Sequence, residues 1–366
     1  MTKLLDAPKR PNRPNRPAAP SGAPGTNRPG GPTGAEASPV RRFTAAATAL
    51  FTSPKYGPVM VTAVLFVAVF VIGGVRYQGF FSGQVFLNLL VDNSYLIVLA
   101  VGMTFVILTG GIDLSVGAVV ALSGMIAASL LQSGWSPAVV IPLILVVTSV
   151  LGLLVGLMIH VFKVQPFIAT LAAMFLARGL CYVISQSSIS ITDTTFVQLA
   201  VARIPLGGNL SITPSVIIAI VVVAIAVWVL HATRFGRTVY AIGGGEQSGL
   251  LMGLPVARTK VLVYVISGFC SGLAGVLFTF YTLSGYPLTA IGTELDAIAA
   301  VVIGGTLLTG GYGFVLGSVL GVLVLGVIQT IITFEGTLSS WWTKIFIGAL
   351  LLVFIILQKV LTARRR

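Results

Sequence analysis

The stretch from residue 101 to residue 124, VGMTFVILTGGIDLSVGAVVALSG, consists of two apolar runs separated by a polar break. The break holds two adjacent glycines, Gly110 and Gly111, followed by the carboxylate Asp113. Glycine weakens a helix because its backbone is unrestricted, and a carboxylate inside hydrocarbon is costly. The pattern therefore predicts two membrane helices whose ends meet at a polar turn.

The composition of the whole chain indicates the same environment. Of the 366 residues, 56% are hydrophobic and only 8% are charged, and the mean hydropathy is +1.02. A soluble domain carries about 25% charged residues because its surface faces water. Phosphate-binding P-loops contain a Gly-Lys pair, which occurs nowhere in this sequence. We therefore expect a membrane protein with no enzymatic activity, no cofactor and no metal site.

Ten apolar runs are candidates for membrane spans, since about 20 apolar residues cross a bilayer. The predicted fold class is an all-α polytopic membrane protein with about ten transmembrane helices. The runs lie near residues 58–75, 90–109, 114–133, 138–159, 165–186, 214–232, 261–284, 294–309, 313–333 and 342–359.

The distribution of Lys and Arg predicts the orientation. With the N-terminus inside, 18 of the 22 basic residues fall in inside segments and three in outside segments. Cytoplasmic loops of membrane proteins are enriched in Lys and Arg. This asymmetry predicts cytoplasmic N- and C-termini and a multi-pass protein of the bacterial inner membrane. It also accounts for the net charge of +13 without nucleic acid as a partner.

Residues 1–56 differ from the rest of the chain. They hold nine of the basic residues and the run PNRPNRPAAPSGAPGTNRPGGPTG. Such a segment has too little apolar area to offset the entropy of ordering. We predict a disordered, basic, Pro/Gly-rich cytoplasmic tail at 1–56, which either contacts anionic lipid or only aids solubility, and a transmembrane domain at 57–366.

Asp113 and Ser115 are the first candidate site residues. Asp113 would either cap the helix of the third span, by accepting hydrogen bonds from free backbone N–H groups, or contact the transported molecule directly. The same alternatives apply to Glu294 and Asp296, which begin the eighth span from the outside and either cap that helix or meet a polyol.

Further candidates for the transport pathway or for a helix break are polar or aromatic residues within the spans. A moderately polar cavity formed by such residues would suit the hydroxyl groups of a sugar, whereas an ionic pocket would suit an amino acid. These candidates are Asn93, Phe105, Gln165, Thr170 and Gln329.

The longest inside loop, residues 233–260, has an unexpectedly apolar centre. The segment GGGEQSGLLMG, residues 243–253, predicts a short helix with exposed apolar side chains. Exposed apolar patches mark interaction surfaces, so we interpret this segment as a docking site for a soluble protein; lying on the membrane surface is the alternative. The predicted docking residues are Gly245, Glu246, Leu250, Leu251, Met252 and Gly253.

The tetrapeptide LTGG occurs twice, at 108–111 and at 308–311, and Gly117 and Gly317 keep the same spacing. Transporters are often built from internal repeats that meet at the transport pathway. The recurrence therefore suggests an internal repeat.

The motifs GGIDLSVG, FGRTVYAIGGG, LLMGLPV and ELDAIAAVVIGGTLLTGG together resemble the permeases of ribose-type sugar ATP-binding-cassette importers. The closing stretch FEGTLSSWWTKIFIGALLLVFIILQ is most similar to the second permease of the galactofuranose importer. The likeness covers residues 58–366 and leaves out the basic N-terminus. It implies a permease for a monosaccharide that makes and breaks no covalent bonds.

The resemblance also implies partners. An ATP-binding subunit would dock on 243–253, a periplasmic sugar-binding protein would deliver the sugar, and a second, paralogous permease subunit would complete the channel in the membrane lipid. Two other functions remain open at this point. One is a permease for branched-chain amino acids; the other is a stand-alone secondary transporter, which would need ion-coupling carboxylates near the bilayer centre.

Overall fold

The computed structural model describes residues 57–208, 210–337, 339 and 341–363, so the predicted tail at 1–56 lies outside the described residues. Fourteen helices are described in these ranges. They are α1 Gly57–Arg76, α2 Gly83–Asp92, α3 Ser94–Leu108, α4 Val116–Gln132, α5 Pro137–His160, α6 Pro166–Ile184, α7 Thr194–Val201, α8 Pro214–Ala232, α9 Arg234–Gly244, α10 Glu246–Leu251, α11 Val256–Thr282, α12 Thr293–Ile303, α13 Val315–Glu335 and α14 Trp341–Ala363.

Six of the described helices are long and apolar enough to cross a membrane: α1, α5, α6, α8, α11 and α13. A seventh crossing is formed if α2 and α3, which meet at a 55° bend, count as one span. Two shorter apolar helices are α4 and the Trp341–Ile356 part of α14. Ten complete crossings therefore remain a prediction.

The predicted span 294–309 is only partly helical. Helix α12 ends at Ile303, and eleven residues extend about 16 Å, about half of the hydrocarbon thickness. The chain continues through Gly304, Gly305 and Thr306, all buried. Non-helical backbone at membrane depth is tolerated where protein covers it. The prediction of one continuous helix was wrong because the glycine pair ends it early.

The expectation of an all-α protein was also incomplete, because four short strands join the helices. Strand β1 (Ile189–Ser190) pairs antiparallel with β4 (Ser284–Gly285), and β2 (Ile204–Gly207) pairs antiparallel with β3 (Leu210–Ile212). Each strand has two to four residues and lies in a loop between helices. Helical periodicity in the spans carries no information about such loop pairings.

Helix α3 lies at the centre of the bundle. Fourteen of its 15 residues are buried, and it contacts α8, α11, α12 and α13. Helix α11 packs closely along α5, where a side chain on Gly152 would overlap the carbonyl oxygen of Tyr264, and a Cβ on Gly156 would lie 2.9 Å from the Cα of Val261. Small residues four apart allow such close approach of helices in lipid, as their spacing predicts.

Candidate transport pathway and coupling segment

A polar cavity of about 440 Å³ lies among α2, α3, α11 and α13. Two predicted pathway residues, Asn93 and Gln329, line it together. The other polar groups in its wall, which sequence reasoning missed, are Asn88, Asp92, Tyr95, Tyr281, Thr330 and Thr333. The run Asp92-Asn93-Ser94-Tyr95 inside an apolar segment was a signal that would have pointed to part of this set.

Asn93 is fixed at the bend between α2 and α3. It ends α2 and precedes α3, and its Nδ2 donates a hydrogen bond of 2.9 Å to the carbonyl oxygen of Leu89. Gly326 of α13 packs directly against the amide, so a larger residue there would displace it. The bend therefore places the Asn93 amide, which this hydrogen bond fixes, in the cavity wall.

A second cavity of about 370 Å³ shares Asp92, Tyr95 and Tyr281 with the first. Its wall also contains Arg203 and Thr213. Amide, hydroxyl and carboxylate groups offer both donors and acceptors, and aromatic rings offer apolar faces. Such a lining suits a small molecule with many hydroxyl groups.

Asp113 is buried and holds a turn together rather than lining either of these cavities. Its Oδ1 accepts hydrogen bonds from Ser115 N (3.0 Å) and Ser115 Oγ (2.6 Å), and its Oδ2 accepts from Ser267 Oγ (2.7 Å). The predicted capping contact is thus made to the residue before α4. The bond from Ser267, which joins the turn to α11, had no sequence signal. A buried polar group is costly unless hydrogen bonds satisfy it, and three hydrogen bonds satisfy this carboxyl group.

Three other predicted residues lie apart from these cavities. Phe105 is buried in α3 with its ring 6.3 Å from that of Phe235. Thr170 is buried and donates a hydrogen bond of 2.9 Å to the carbonyl oxygen of Pro166 in its own helix. Gln165 is exposed just before α6. Apolar helices do not reveal which face lines a cavity, so these placements could not be read from the sequence.

Glu294 and Asp296 occupy the first turn of α12. Glu294 Oε1 accepts a hydrogen bond of 3.1 Å from the Gly292 N–H, and Asp296 forms an ion pair with Lys344 of α14. Acids are favoured at a helix N-terminus by the helix dipole. The contact of Glu294 fits the capping alternative, whereas Asp296 is held by Lys344, and neither lines the two polar cavities.

The coupling segment, defined as α9 and α10 with the residues to Gly253, presents an apolar surface. A short helix is present at Glu246–Leu251. Leu251 is 90% exposed, and Leu250 and Met252 are also exposed. Glu246 forms a 3.0 Å ion pair with Lys260 of α11, which ties α10 to the bundle while its apolar side chains stay outward.

The two LTGG turns meet at the base of the coupling segment, in what we call the glycine junction (Gly110, Gly243, Gly310 and Gly311). The Gly311 N–H donates a hydrogen bond of 2.9 Å to the carbonyl oxygen of Leu108. Gly110 and Gly310 share a left-handed conformation, with φ of 78° and 83°. Gly243, near the end of α9, contacts both turns so closely that a side chain would overlap Leu108 O and Gly311 N. The two LTGG segments therefore lie against each other, and the internal repeat itself stays a prediction.

Apolar helices long enough to cross a bilayer, enclosing polar cavities, define a multi-pass membrane transport protein. Residues 85–355 match the family described as the permease component of branched-chain amino acid transport systems. The chain belongs to this permease family and is a multi-pass inner-membrane protein.

Curated relatives match over most of their length. The chain is 48% identical to the inner membrane ABC transporter permease protein YjfF of Escherichia coli, over 83% of this chain and 92% of that protein. It is 42% identical to the fructose import permease protein FruG of Bifidobacterium longum, over 84% and 92%. It is 40% identical to the ribose import permease protein RbsC of Haemophilus influenzae, over 78% and 88%. No solved structure matches.

Proposed function

We propose that the protein is the membrane-spanning subunit of an ATP-driven importer for a neutral monosaccharide, galactofuranose or a related sugar. The observation that carries the proposal is the polar cavity, in which amide and hydroxyl groups stand beside the rings of Tyr95 and Tyr281. Relatives named for fructose and ribose import support a sugar, and the similarity of the closing stretch supports galactofuranose.

An ATP-driven importer requires further subunits besides the permease. We propose a separate ATP-binding subunit on the coupling segment, a periplasmic sugar-binding protein at the opposite side, and a second permease subunit, in a paralogous heterodimer. The exposed Leu250, Leu251 and Met252 support the first of these contacts.

A branched-chain amino acid is a second candidate substrate. Asp92 and Arg203 both line the second cavity and would suit a zwitterion, and the description of the family names such substrates. Competition for uptake separates the two candidates. Excess unlabelled galactofuranose or ribose should suppress the uptake of labelled galactofuranose, and excess leucine should not. Suppression by leucine alone would support an amino acid as the substrate.

Replacing Gln329 by Leu is expected to reduce sugar uptake at least tenfold. The change removes an amide from the cavity wall, so a hydroxyl group of the sugar is left without a hydrogen-bond partner. Uptake in whole cells at equal membrane levels of permease measures the effect. Gln132→Leu is the matched control, since Gln132 is exposed at the end of α4 and lies outside both cavities. Equal uptake by the two variants would exclude this cavity as the pathway.

We also propose that both termini face the cytoplasm. Reporter fusions at residues 135 and 200 should report the periplasm, and fusions at 245 and 366 the cytoplasm, because the basic residues concentrate on that side. Active alkaline phosphatase at 200 and active green fluorescent protein at 366 are the expected signals. Opposite compartments for 245 and 366 would contradict the even number of crossings predicted between those two positions.

A further inference from the structure

A cavity of about 1070 Å³ lies where the ends of α5, α9 and α11 meet, outside both the polar cavities and the exposed tip of the coupling segment. We call it the arginine pocket, after Arg234, Arg237 and Arg258, which all line it. Its wall also includes the apolar side chains of Phe235, Leu254 and Leu262. A basic and an apolar surface therefore share one concave site.

The charge in this pocket is uncompensated. Arg234, Arg237 and Arg258 are exposed, and none forms an ion pair within the described part of the chain. None of the described residues lining the pocket is acidic. Three guanidinium groups around one cavity favour the binding of an anion there. Guanidinium groups match the geometry of phosphate through paired N–H donors.

The position of the pocket relates it to the lipid. Helix α5 ends at His160, which lines the pocket, and the next residues Val161 and Phe162 are 59% and 74% exposed. Leu262, in the second turn of α11, is also exposed in the pocket wall. Large exposed apolar side chains directly beside arginines are expected where the hydrocarbon ends and the headgroups begin.

We propose that the arginine pocket binds an anionic phospholipid, with its phosphate among the three arginines and the start of an acyl chain along Phe235 and Leu262. The proposal rests on the cytoplasmic orientation proposed above. It does not depend on which molecule is transported. An acidic segment of the ATP-binding subunit is the competing occupant, but the apolar wall next to exposed Leu262 favours a lipid.

The test uses the full-length permease in nanodiscs of phosphatidylcholine with a small fraction of phosphatidylglycerol, followed by native mass spectrometry of retained lipid. The variant Arg237→Gln/Arg258→Gln is expected to bind phosphatidylglycerol about thirtyfold more weakly, since each basic side chain near anionic lipid contributes about fivefold. The control Arg76→Gln/Lys163→Gln removes the same charge outside the pocket and should retain the lipid. An Arg237→Lys/Arg258→Lys variant, which keeps the charge, should bind at an intermediate level.

Three results would overturn the proposal. Equal retention by the pocket variant and the control would show that no lipid is bound there. Displacement of the lipid by millimolar inorganic phosphate would identify a free anion as the ligand. Unchanged lipid retention together with loss of the co-purified ATP-binding subunit would assign the pocket to that protein. Sugar uptake is not a readout here, so a failed sugar assignment leaves this test intact.

Discussion

A Leu251→Asp permease is expected to be inserted at wild-type levels and to lose both sugar uptake and the co-purified ATP-binding subunit. Leu251 is 90% exposed, so the change costs the folded permease little. An apolar anchor buried in a partner's cleft commonly contributes about 2 kcal/mol or more, about thirtyfold in affinity, and a charge in that cleft adds a desolvation cost. Affinity purification of the permease in mild detergent, with the partner quantified, measures the loss.

The matched control for this change is Leu206→Asp. Leu206 is 55% exposed on β2, in the loop between α7 and α8, away from the coupling segment. The Leu206→Asp permease should keep the ATP-binding subunit bound. If Leu251→Asp retains partner and uptake like the control, this segment is not the docking site.

Replacing Gly243 by Ala is expected to reduce thermal stability and to reduce uptake to a few per cent. The added Cβ would overlap Leu108 O and Gly311 N, and both are backbone atoms that cannot move aside without shifting the two LTGG turns. Overpacking of this kind costs about 1–3 kcal/mol or more. Thermal unfolding of the purified permease, together with uptake per inserted molecule, measures both effects.

The adjacent glycine supplies the control. A Cβ on Gly244 would meet no other atom within 4 Å, so Gly244→Ala should leave stability and uptake near wild type. Both substitutions change the same residue type in the same helix, and they differ only in what the new methyl group meets. Equal behaviour of the two variants would show that α9 can move away from the two LTGG turns without loss of stability or uptake. It would exclude the glycine junction as a rigid link between α9 and the turns.

The sequence predicted those features that depend on spacing. Gly152 and Gly156 mark a close helix contact, the two LTGG segments lie against each other, and 243–253 contains a short helix with exposed apolar residues. Each of these follows from local geometry or from a repeated pattern. Of the polar residues chosen within the spans, Asn93 and Gln329 line the first cavity together.

Features set by side-chain direction could not be predicted. Phe105, Gln165 and Thr170 were candidates only because they interrupt or lie within apolar helices, whose faces look alike in sequence. Ser267 meets Asp113 across 154 positions of sequence, and Lys344 meets Asp296 across 48. Such long-range contacts arise from helix packing, which periodicity does not encode.

The burial of α3 has a consequence for how the protein is made. Its neighbours α8, α11, α12 and α13 all follow it in the chain, so α3 leaves the ribosome before any of them exists. Its apolar surface is stable in lipid during that interval, since lipid tails are as apolar as its eventual neighbours. The centre of the bundle is therefore enclosed only as the C-terminal half is synthesised, and a nascent chain stopped before α8 holds α3 inserted but without these four neighbours.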